Sequence, residues 1–412
     1  MKERVVILGC GESGVGAAIL AVKHHYDVFI SDLGIISSKI KQKLDELGVT
    51  FEEKQHTLNL IKKADTVIKS PGISEDSPLI KDLKTQGVVI ISEIEFAFRH
   101  ISQEAKIIGI TGTNGKTTTS LLIYHLLKEA GFNVALAGNV GYSLARKVAE
   151  KKYDFYVVEI SSFQLDGIIE FKPDISILLN ITPDHLERYD YNFNSYVASK
   201  FRIIENAIST SSFIYGGDSS IVVEEVNNRN IAASLFTVSA NVHSKKGAFL
   251  DRDHLIFNFE SQVNKEAIPL TDIPLIGLHN KMNVMFAVLC AMRLKIPFNK
   301  ILKDIKSFEN ASHRLEMVAV IDQVKFINDS KATNVDAVYY ALEAIKESII
   351  WIAGGIDKGN DYSILDEWVV QKVRGIVSLG IDNSKIENHF KGKVSFIGHA
   401  TSMDEALSLI HI

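Results

Sequence analysis

A chain of 412 residues is long enough for roughly two to four domains, and 46% hydrophobic with 23% charged residues is a soluble globular composition. The 45 basic and 50 acidic residues give a formal net charge of −5, so no overall positive field attracts nucleic acid or an anionic membrane. Two cysteines are too few for a disulfide framework, and no run approaches the ~18 apolar residues of a membrane span. We therefore expect a cytoplasmic protein that binds neither nucleic acid nor membrane.

From Arg4 onward, short β-branched segments alternate with segments of helical period, which predicts an α/β fold with mainly parallel sheets. This alternation starts three times. The first block has predicted strands at Arg4–Leu8, Val28–Asp32, Thr66–Ser70 and Val88–Ile91. The second has them at Lys106–Thr111, Val134–Ala137, Phe155–Ile160 and Ile175–Ile181. The third has them at Val324–Asn328, Ile349–Ala353, Gly375–Leu379 and Val394–Ile397.

Two segments of the second block depart from this alternation. The sequence AFLDRDHLIFNF predicts a hairpin that turns at Asp251–Asp253, and Asn280–Leu294 predicts a long buried helix. The restarts place candidate boundaries near Phe96–Gln103 and Glu309–Ser312. We therefore predict three α/β domains, at residues 1–95, 96–309 and 310–412.

The first glycine-rich loop, Gly9–Gly14, follows the first predicted strand and precedes a helix, and Asp32 ends the next strand. This is the dinucleotide-binding pattern in its expected context, and backbone N–H groups at such a helix start can hold a diphosphate. A nucleotide-sugar diphosphate meets the same amides as a dinucleotide does. Ser70-Pro71-Gly72 ends another strand at the same sheet edge, either as a ligand contact or as an ordinary Pro-Gly turn.

The second glycine-rich loop, Gly109–Thr117, lies between a strand and the predicted helix Thr118–Ala130. It departs from the strict P-loop spacing because Ile110 stands where that pattern has glycine. Its glycines can nevertheless turn backbone N–H groups inward, Lys116 can neutralise β/γ-phosphate charge, and the Thr117 hydroxyl can ligate Mg²⁺.

Two such loops imply two different phosphorylated ligands, which suggests ATP-driven chemistry on a nucleotide-bearing substrate. Glu159 and His185 each follow an apolar strand at the ligand edge of the second sheet, and Glu159 is the natural magnesium carboxylate. Lys200, on the predicted helix Asn194–Asn206, is by default a surface lysine.

Five motifs resemble those of the Mur ligases: TGTNGKTTT at 111–119, EISSFQLD at 159–166, NITPDHLERY at 180–189, LHNKMN at 278–283 and NDSKATN at 328–334. With Gly9–Gly16 and Ser70–Ile73, they are similar to the branch of that family that adds D-glutamate to UDP-N-acetylmuramoyl-L-alanine. The resemblance runs from residue 1 to about Lys358. It implies a Rossmann-like domain at 1–95, a central P-loop-type ATP-binding domain at 96–309 and a second Rossmann-like domain at 310–412. It also implies a monomeric, ATP-dependent acid–D-amino-acid ligase of peptidoglycan precursor synthesis that acts through an acyl phosphate.

The resemblance also implies individual roles. The UDP moiety would be bound by Ser13, Gly14, Asp32, Ser70 and Gly72, and the muramoyl part by Asn139, Ser161 and Gln164. ATP would be bound by Gly112, Thr113, Asn114, Gly115, Lys116, Thr117, Thr118, Asn280, Asn283, Arg314 and Asp329. Two Mg²⁺ ions would be held by Thr117, Glu159, His185 and a carbamylated Lys200. D-Glutamate would be bound by Lys331, Thr333 and Lys358, and the catalytic residues would be Lys116, His185, Lys200 and Arg314.

The sequence departs from the family pattern in two places. Leu33-Gly34 follows Asp32 where some members have a basic residue, so part of the uracil contact is expected to differ. The family continues past the helix containing Ser402–Leu409 into a strand and a loop that holds the D-glutamate carboxylate, whereas this sequence ends at Ile412. We therefore expect a shortened C-terminal domain with weak D-glutamate affinity or little turnover.

Three other functions stay open on the sequence alone. An NAD-dependent dehydrogenase would explain Gly9–Gly14 but leaves the second glycine-rich loop without a task. Another carboxylate–amine ligase, such as a folylpolyglutamate synthetase, would explain Gly109–Thr119 but not the first block. A non-catalytic nucleotide-binding protein is the third alternative, suggested by the short C-terminus.

Overall fold

A computed structural model describes residues 2–259, 265–355 and 360–410. The chain forms two compact units, one made of residues 1–273 and 282–308 and the other of residues 274–281 and 309–412. Both units are α/β with mostly parallel sheets, as predicted. The described residues contain no helix that is both long and apolar enough to cross a membrane.

The first sheet lies within residues 4–92 and is parallel throughout. Its strands are β1 (Arg4–Leu8), β2 (Asp27–Asp32), β3 (Thr50–Glu53), β4 (Thr66–Lys69) and β5 (Val89–Ser92), in the order β3-β2-β1-β4-β5. The helices are α1 (Glu12–Lys23), α2 (Ser38–Glu46), α3 (Leu58–Ile61), α4 (Pro78–Thr85) and α5 (Glu93–Phe98). Four of these strands were predicted, and β3 was missed.

Strand β1 is apolar after Arg4 because both of its faces are buried. Val5 and Ile7 belong to the hydrophobic core that includes α1, whereas Val6 and Leu8 belong to a separate core that includes α4. Since β4 pairs with β1 in parallel, the loops that follow these two strands emerge side by side at one sheet edge.

The second sheet has nine strands. They are β6 (Lys106–Thr111), β7 (Val134–Gly138), β8 (Phe155–Glu159), β9 (Ile175–Leu178), β10 (Ser212–Gly216), β11 (Ser234–Ser239), β12 (Gly247–Asp251), β13 (His254–Asn258) and β14 (Lys265–Pro269). The order is β14-β13-β12-β11-β10-β9-β6-β8-β7, parallel from β7 to β12 and antiparallel from there to β14. The predicted hairpin is confirmed, whereas β10, β11 and β14 were not predicted.

The helices around this sheet are α6 (Lys116–Glu129), α7 (Leu144–Glu150), α8 (Ser162–Leu165), α9 (Phe193–Phe201), α10 (Ser220–Asn228), α11 (Leu278–Arg293) and α12 (Phe298–Ile305). Helix α11 confirms the predicted long buried helix. The prediction of one helix over Asn194–Asn206 was wrong at its end, since α9 stops at Phe201 and a 3₁₀ turn, Arg202–Ile204, follows. Strand β6 lies between β8 and β9, so its carboxyl end is the point where the strand order switches direction and where ligands bind in such sheets.

The second unit contains two small sheets. Strands β15 (Glu316–Ile321) and β16 (Val324–Asn328) form an antiparallel pair, and β17 (Ile349–Gly354), β18 (Val373–Leu379) and β19 (Phe396–Ala400) form a parallel sheet. The helices are α13 (Val335–Ala344), α14 (Asp366–Lys372), α15 (Ser384–Phe390) and α16 (Met403–Leu409). The expectation that Val324–Asn328 starts a parallel block is corrected, because it pairs with β15 through a turn whose two residues, Asp322 and Gln323, both have positive φ.

Within the larger unit, two buried carboxylates of α5 connect the residues around the first sheet to those around the second. We call residues 4–98 the first sheet region and residues 106–269 the second sheet region. One Glu95 carboxylate oxygen accepts the backbone N–H groups of Ile169, Glu170 and Phe171 at 2.9, 3.0 and 2.9 Å. Glu93 accepts the backbone N–H of Ala145, in the first turn of α7, at 2.5 Å. The predicted domain ranges 1–95, 96–309 and 310–412 stay predictions.

Candidate active site

The second glycine-rich loop joins the end of β6 to the start of α6. Gly115 has φ 85°, and a Cβ there would lie 2.4 Å from Oδ1 of Asn283. The Asn283 Oδ1 also accepts a hydrogen bond from the Thr119 hydroxyl at 3.2 Å. Asn283 therefore lies against the loop, and the left-handed backbone and the tight space both favour glycine at 115.

The side chain of Asn180 fixes the same loop from the neighbouring strand. Its Oδ1 accepts the backbone N–H of Asn114 at 2.9 Å, and its Nδ2 donates to the Asn114 carbonyl at 3.2 Å. The Thr113 hydroxyl donates to the Thr182 carbonyl at 3.0 Å and lies 3.1 Å from the Tyr196 hydroxyl. Asn180 was not among the predicted site residues, although it begins the motif NITPDHLERY and lies two residues after the end of β9.

Two lysines converge on one carbonyl of the loop. Lys116 Nζ donates to the carbonyls of Gly112 and Thr113 at 2.8 and 2.7 Å, and Lys200 Nζ donates to that of Gly112 at 2.9 Å. Lys200 is only 2% exposed, and its ammonium lies 4.5 Å from the centre of the Tyr196 ring. Lys200 is therefore a buried residue of this site, which corrects the default expectation of a surface lysine.

Burial lowers the pKa of Lys200 well below its usual value, and the nearby charge of Lys116 lowers it further. The carboxylates of Asp184 and Asp166 oppose that shift. Protonation of Lys200 is therefore less favourable than protonation of a lysine in water.

Glu159 is the last residue of β8, and one oxygen of its buried carboxylate accepts no hydrogen bond from the described residues. Its Oε1 accepts a hydrogen bond from Asn139 Nδ2 at 3.0 Å, whereas Oε2 is buried without a hydrogen-bond partner in the described part of the chain. Such an oxygen needs a partner, and a hard cation is a suitable one. The residues present thus fit Mg²⁺, with Thr117 at the start of α6 as an oxygen donor.

Within residues 2–259, 265–355 and 360–410, no three His, Cys, Asp or Glu side chains are grouped closely enough to hold a metal. His185 has φ 52° and precedes a 3₁₀ turn, Leu186–Tyr189. Its ring nitrogens lie 3.8 Å from Asp184 Oδ2 and 3.6 Å from Glu187 Oε1. A magnesium site in which phosphate oxygens and water supply most of the ligands needs only a few ligands from the protein.

A cavity of about 410 Å³ lies at the ligand edge of the first sheet, lined by residues 9–13, 32–33, 56 and 70–73. We call it the N-terminal cavity. It includes four of the predicted UDP-site residues, Ser13, Asp32, Ser70 and Gly72. Gly14 instead packs beneath the loop, where a Cβ would lie 2.0 Å from the Gly9 carbonyl oxygen.

Asp32 shapes this cavity through the backbone. Its carboxylate accepts the backbone N–H groups of Cys10 at 2.5 Å and Gly34 at 2.6 Å. His56 also lines the cavity and was missed, since it follows the unpredicted strand β3. Its Nδ1 lies 2.6 Å from the Ser31 hydroxyl, and burial lowers its pKa.

The residues predicted near the muramoyl part have local partners. Ser161 and Gln164 form a capping box at the start of α8, with Ser161 N donating to Gln164 Oε1 at 2.9 Å and Gln164 N to Ser161 Oγ at 3.3 Å. Asn139 holds Glu159, as described above. All three therefore lie at the carboxyl edge of the second sheet around β8.

The second unit carries the remaining predicted residues. Asp329 Oδ1 accepts the backbone N–H of Leu315 at 3.0 Å; burial raises the Asp329 pKa, and the charge of Arg314 opposes this. Asn280 Nδ2 donates to the Ile276 carbonyl at 2.7 Å. Two of the predicted D-glutamate residues, Lys331 and Thr333, are exposed, and the third, Lys358, lies outside the described residues.

Comparisons with known proteins agree with this arrangement. Residues 4–79 match the MurD N-terminal domain family and residues 110–291 the Mur ligase middle domain family. Two solved structures are similar in fold: UDP-N-acetylmuramate-alanine ligase MurC from Thermotoga maritima, with TM-score 0.63, 17% identity and coverage of 99% of this chain and 93% of that one, and MurF from Acinetobacter baumannii, with TM-score 0.64, 14% identity and coverage of 98% and 86%. A two-loop α/β architecture with these family matches defines a Mur ligase.

Curated relatives narrow the assignment. The chain is 45% identical to the UDP-N-acetylmuramoylalanine--D-glutamate ligase of Cytophaga hutchinsonii, over 100% of this chain and 91% of the relative. It is 46% identical to the enzyme of that name from Bacteroides fragilis, over 94% and 86%. The chain belongs to the UDP-N-acetylmuramoylalanine--D-glutamate ligase family. The predicted ligase is confirmed, and the dehydrogenase, folylpolyglutamate-type and non-catalytic alternatives are not favoured.

Proposed function

We propose that this chain joins D-glutamate to UDP-N-acetylmuramoyl-L-alanine in the cytoplasm, as a monomer, with ATP converted to ADP and phosphate. The observation that supports this most strongly is the placement of the buried Glu159 at the same sheet edge as the glycine-rich loop and Lys116, with an Oε2 that has no hydrogen-bond partner among the described residues. That combination serves phosphoryl transfer, and the separate N-terminal cavity supplies room for a nucleotide diphosphate.

The reaction proceeds in two steps. The substrate carboxylate attacks the γ-phosphorus of ATP, ADP leaves, and an acyl phosphate forms. The D-glutamate amine then attacks the acyl carbon, the tetrahedral intermediate expels phosphate, and the nitrogen loses a proton. Activation is needed because direct attack on a carboxylate would have to expel oxide.

The side chains of the loop act by position and charge. Lys116 exchanges its contacts with the Gly112 and Thr113 carbonyls for phosphate oxygens and neutralises charge during transfer. Magnesium, when bound by Glu159 and Thr117, supplies Lewis-acid polarisation of the phosphate. Backbone N–H groups at the start of α6, which follows the N-cap residue Gly115, would orient the β- and γ-phosphates.

Lys200 is proposed to carry a carbamate. The neutral amine adds CO₂ through its nitrogen lone pair and releases one proton, so the nitrogen gains an anionic carbamate whose oxygens attract Lys116 and can ligate Mg²⁺. A carbamate at this position would complement His185 at a second magnesium ion.

We also propose ligand-binding roles for residues of the second unit. Arg314 would reach the γ-phosphate, Asp329 the ATP ribose, and Asn280, with Asn283 of the first unit, the adenine. Lys331, Thr333 and Lys358 would bind D-glutamate. Ser13, Gly14, Asp32, Ser70 and Gly72 would bind the UDP moiety, and Asn139, Ser161 and Gln164 the muramoyl part.

The decisive experiment measures phosphate release with ATP, Mg²⁺ and UDP-N-acetylmuramoyl-L-alanine, with each candidate amino acid added in turn. Release should require D-glutamate and should be accompanied by the amide product in the mass spectrum. Release that is equal with L-alanine, or absent with every amino acid, would contradict the proposal.

A further inference from the structure

Arg188 joins the turn that carries His185 to the wall of the N-terminal cavity. Its guanidinium donates to three consecutive backbone carbonyls of the loop after β4: Pro71 at 2.9 Å, Gly72 at 2.9 Å and Ile73 at 3.3 Å. Arg188 belongs to the second sheet region and the loop to the first. One half-buried side chain therefore spans the two regions that hold the two phosphate loops.

These hydrogen bonds set the orientation of the loop peptides. A trans peptide is planar, so turning the Pro71 carbonyl toward Arg188 points the Gly72 N–H in the opposite direction, away from the guanidinium. Lys69 Nζ also donates to the Ile73 carbonyl, at 2.8 Å, so two cationic side chains hold this loop. Since residues 70–73 line the N-terminal cavity, the shape of that cavity depends on Arg188.

The ring of Phe163 contacts both Arg188 and His185. The Arg188 guanidinium lies 4.5 Å from the centre of this ring, and the His185 ring packs edge-on against it with centroids 5.4 Å apart. Arg188 N also donates to the His185 carbonyl at 3.0 Å, which closes the 3₁₀ turn. A displacement of Arg188 would therefore be transmitted to His185 through both the turn and the ring.

We infer that Arg188 is a positioning residue that couples binding of the nucleotide-diphosphate substrate in the N-terminal cavity to the placement of His185. The inference rests on the proposed function for the identity of that substrate. Arg188 does not contact the reacting atoms. Arg188 holds the peptide groups of residues 71–73 and the side chain of His185 in a fixed relative position. A substrate bound in the N-terminal cavity is then correctly oriented relative to the His185 imidazole.

The test compares Arg188→Ala and Arg188→Lys with a matched control, Arg202→Ala. Arg202 is also a half-buried arginine that donates to backbone carbonyls, those of Asp166 at 2.5 Å and Ile168 at 2.7 Å, away from the N-terminal cavity. Affinity for UDP-N-acetylmuramoyl-L-alanine is measured by calorimetry, and kcat and both KM values by phosphate release.

Arg188→Ala should weaken affinity for the UDP-linked substrate about 10- to 100-fold, the range expected for losing charge-assisted hydrogen bonds, and should lower kcat while leaving the KM for ATP unchanged. Arg188→Lys should fall in between, because an ammonium cannot reproduce the planar fork. Phe163→Leu should lower kcat more than it weakens substrate affinity, since it removes the ring that contacts His185.

A merely structural role would lower the melting temperature and the active fraction without a selective change in one KM. Wild-type affinity in Arg188→Ala, or an equal effect in Arg202→Ala, would overturn the inference. A wild-type chain that binds the UDP-linked substrate but releases no phosphate with D-glutamate would overturn the proposed function instead, and the calorimetric comparison would still decide the role of Arg188.

Discussion

Lys116 and Lys200 donate hydrogen bonds to the same acceptor, the carbonyl oxygen of Gly112, at 2.8 and 2.9 Å. Two ammonium groups that share one buried carbonyl repel each other, and Lys200, with 2% exposure, is the one that water cannot stabilise. Burial lowers the pKa of Lys200 most, and the charge of Lys116 lowers it further. The pair therefore links the electrostatics of the phosphate loop to the chemical state of Lys200.

The first prediction is that activity depends on bicarbonate through Lys200. Enzyme depleted of CO₂ should lose activity and regain it on addition of bicarbonate, more readily at higher pH because the neutral amine is the reactive form. Lys200→Ala should lower kcat about 100-fold or more, with partial rescue by short carboxylic acids that enter the vacated space. Mass spectrometry of the intact wild-type protein should show the carbamate. Full activity of Lys200→Ala would rule out this role.

The second prediction separates the two phosphate loops. Lys116→Ala should abolish ATP-dependent amide formation, with a loss in kcat of at least about 100-fold, because the transferred phosphoryl group loses its charge partner. Binding of UDP-N-acetylmuramoyl-L-alanine should stay nearly unchanged, since the N-terminal cavity lies on another sheet. Lys128→Ala, an exposed lysine in the last turn of the same helix, is the control. A comparable loss of UDP-substrate affinity in Lys116→Ala would contradict this separation.

The third prediction concerns Glu159. Glu159→Gln retains an acceptor for the Asn139 amide but replaces the charge on the unpartnered oxygen, so the Mg²⁺ concentration for half-maximal activity should rise at least about tenfold. A magnesium titration of phosphate release measures this. Glu150→Gln, at an exposed carboxylate at the end of α7, should leave the titration unchanged. Identical titrations for wild type and Glu159→Gln would remove Glu159 from the proposed metal site.

The motifs predicted the sheet edges well, because in parallel sheets the residues that follow the strands meet at one edge. Lys116 and Glu159 could be placed at such an edge in this way, whereas Asn283 lies in α11 and was predicted only from the family resemblance. The burial of Lys200 could not, since nothing in the sequence of α9 shows that this position faces the Gly112 carbonyl. The contacts of Arg188 likewise depend on how two sheets pack.

Local sequence patterns explain why some elements could be predicted and others were missed. Ser161 and Gln164 have the spacing of a capping box, and this spacing can be recognised from the sequence alone. Strand β15 was missed because Asp322-Gln323 is not one of the residue pairs that usually mark a tight hairpin. Strand β3 was missed, and His56, which follows it, was therefore missed as well.

The fourth prediction concerns Glu93, whose carboxylate is buried between α5 and α7. Desolvation raises its pKa from 4.5 to about 8, Glu12 adds to the rise, and the hydrogen bond from Ala145 opposes it. One oxygen, Oε2, has no hydrogen-bond partner within the described ranges. The folded protein thus retains a proton that the unfolded chain releases near pH 4.5.

Because the folded-state pKa is the higher one, the stability that Glu93 contributes is fully present below about pH 4.5 and is lost as pH rises through about 8. The melting temperature of the wild type should therefore fall across this window more steeply than that of Glu93→Gln, whose amide does not titrate and can still accept the Ala145 N–H. The melting temperatures of both proteins are measured by thermal unfolding from pH 5.5 to 8.5, and their difference is taken at each pH. Taking this difference removes the effect of the other titrating groups, which the two proteins share. Glu150→Gln, at an exposed position, should follow the wild-type slope. Parallel curves for Glu93→Gln and wild type would show that the Glu93 carboxylate is already ionised in the folded state at neutral pH.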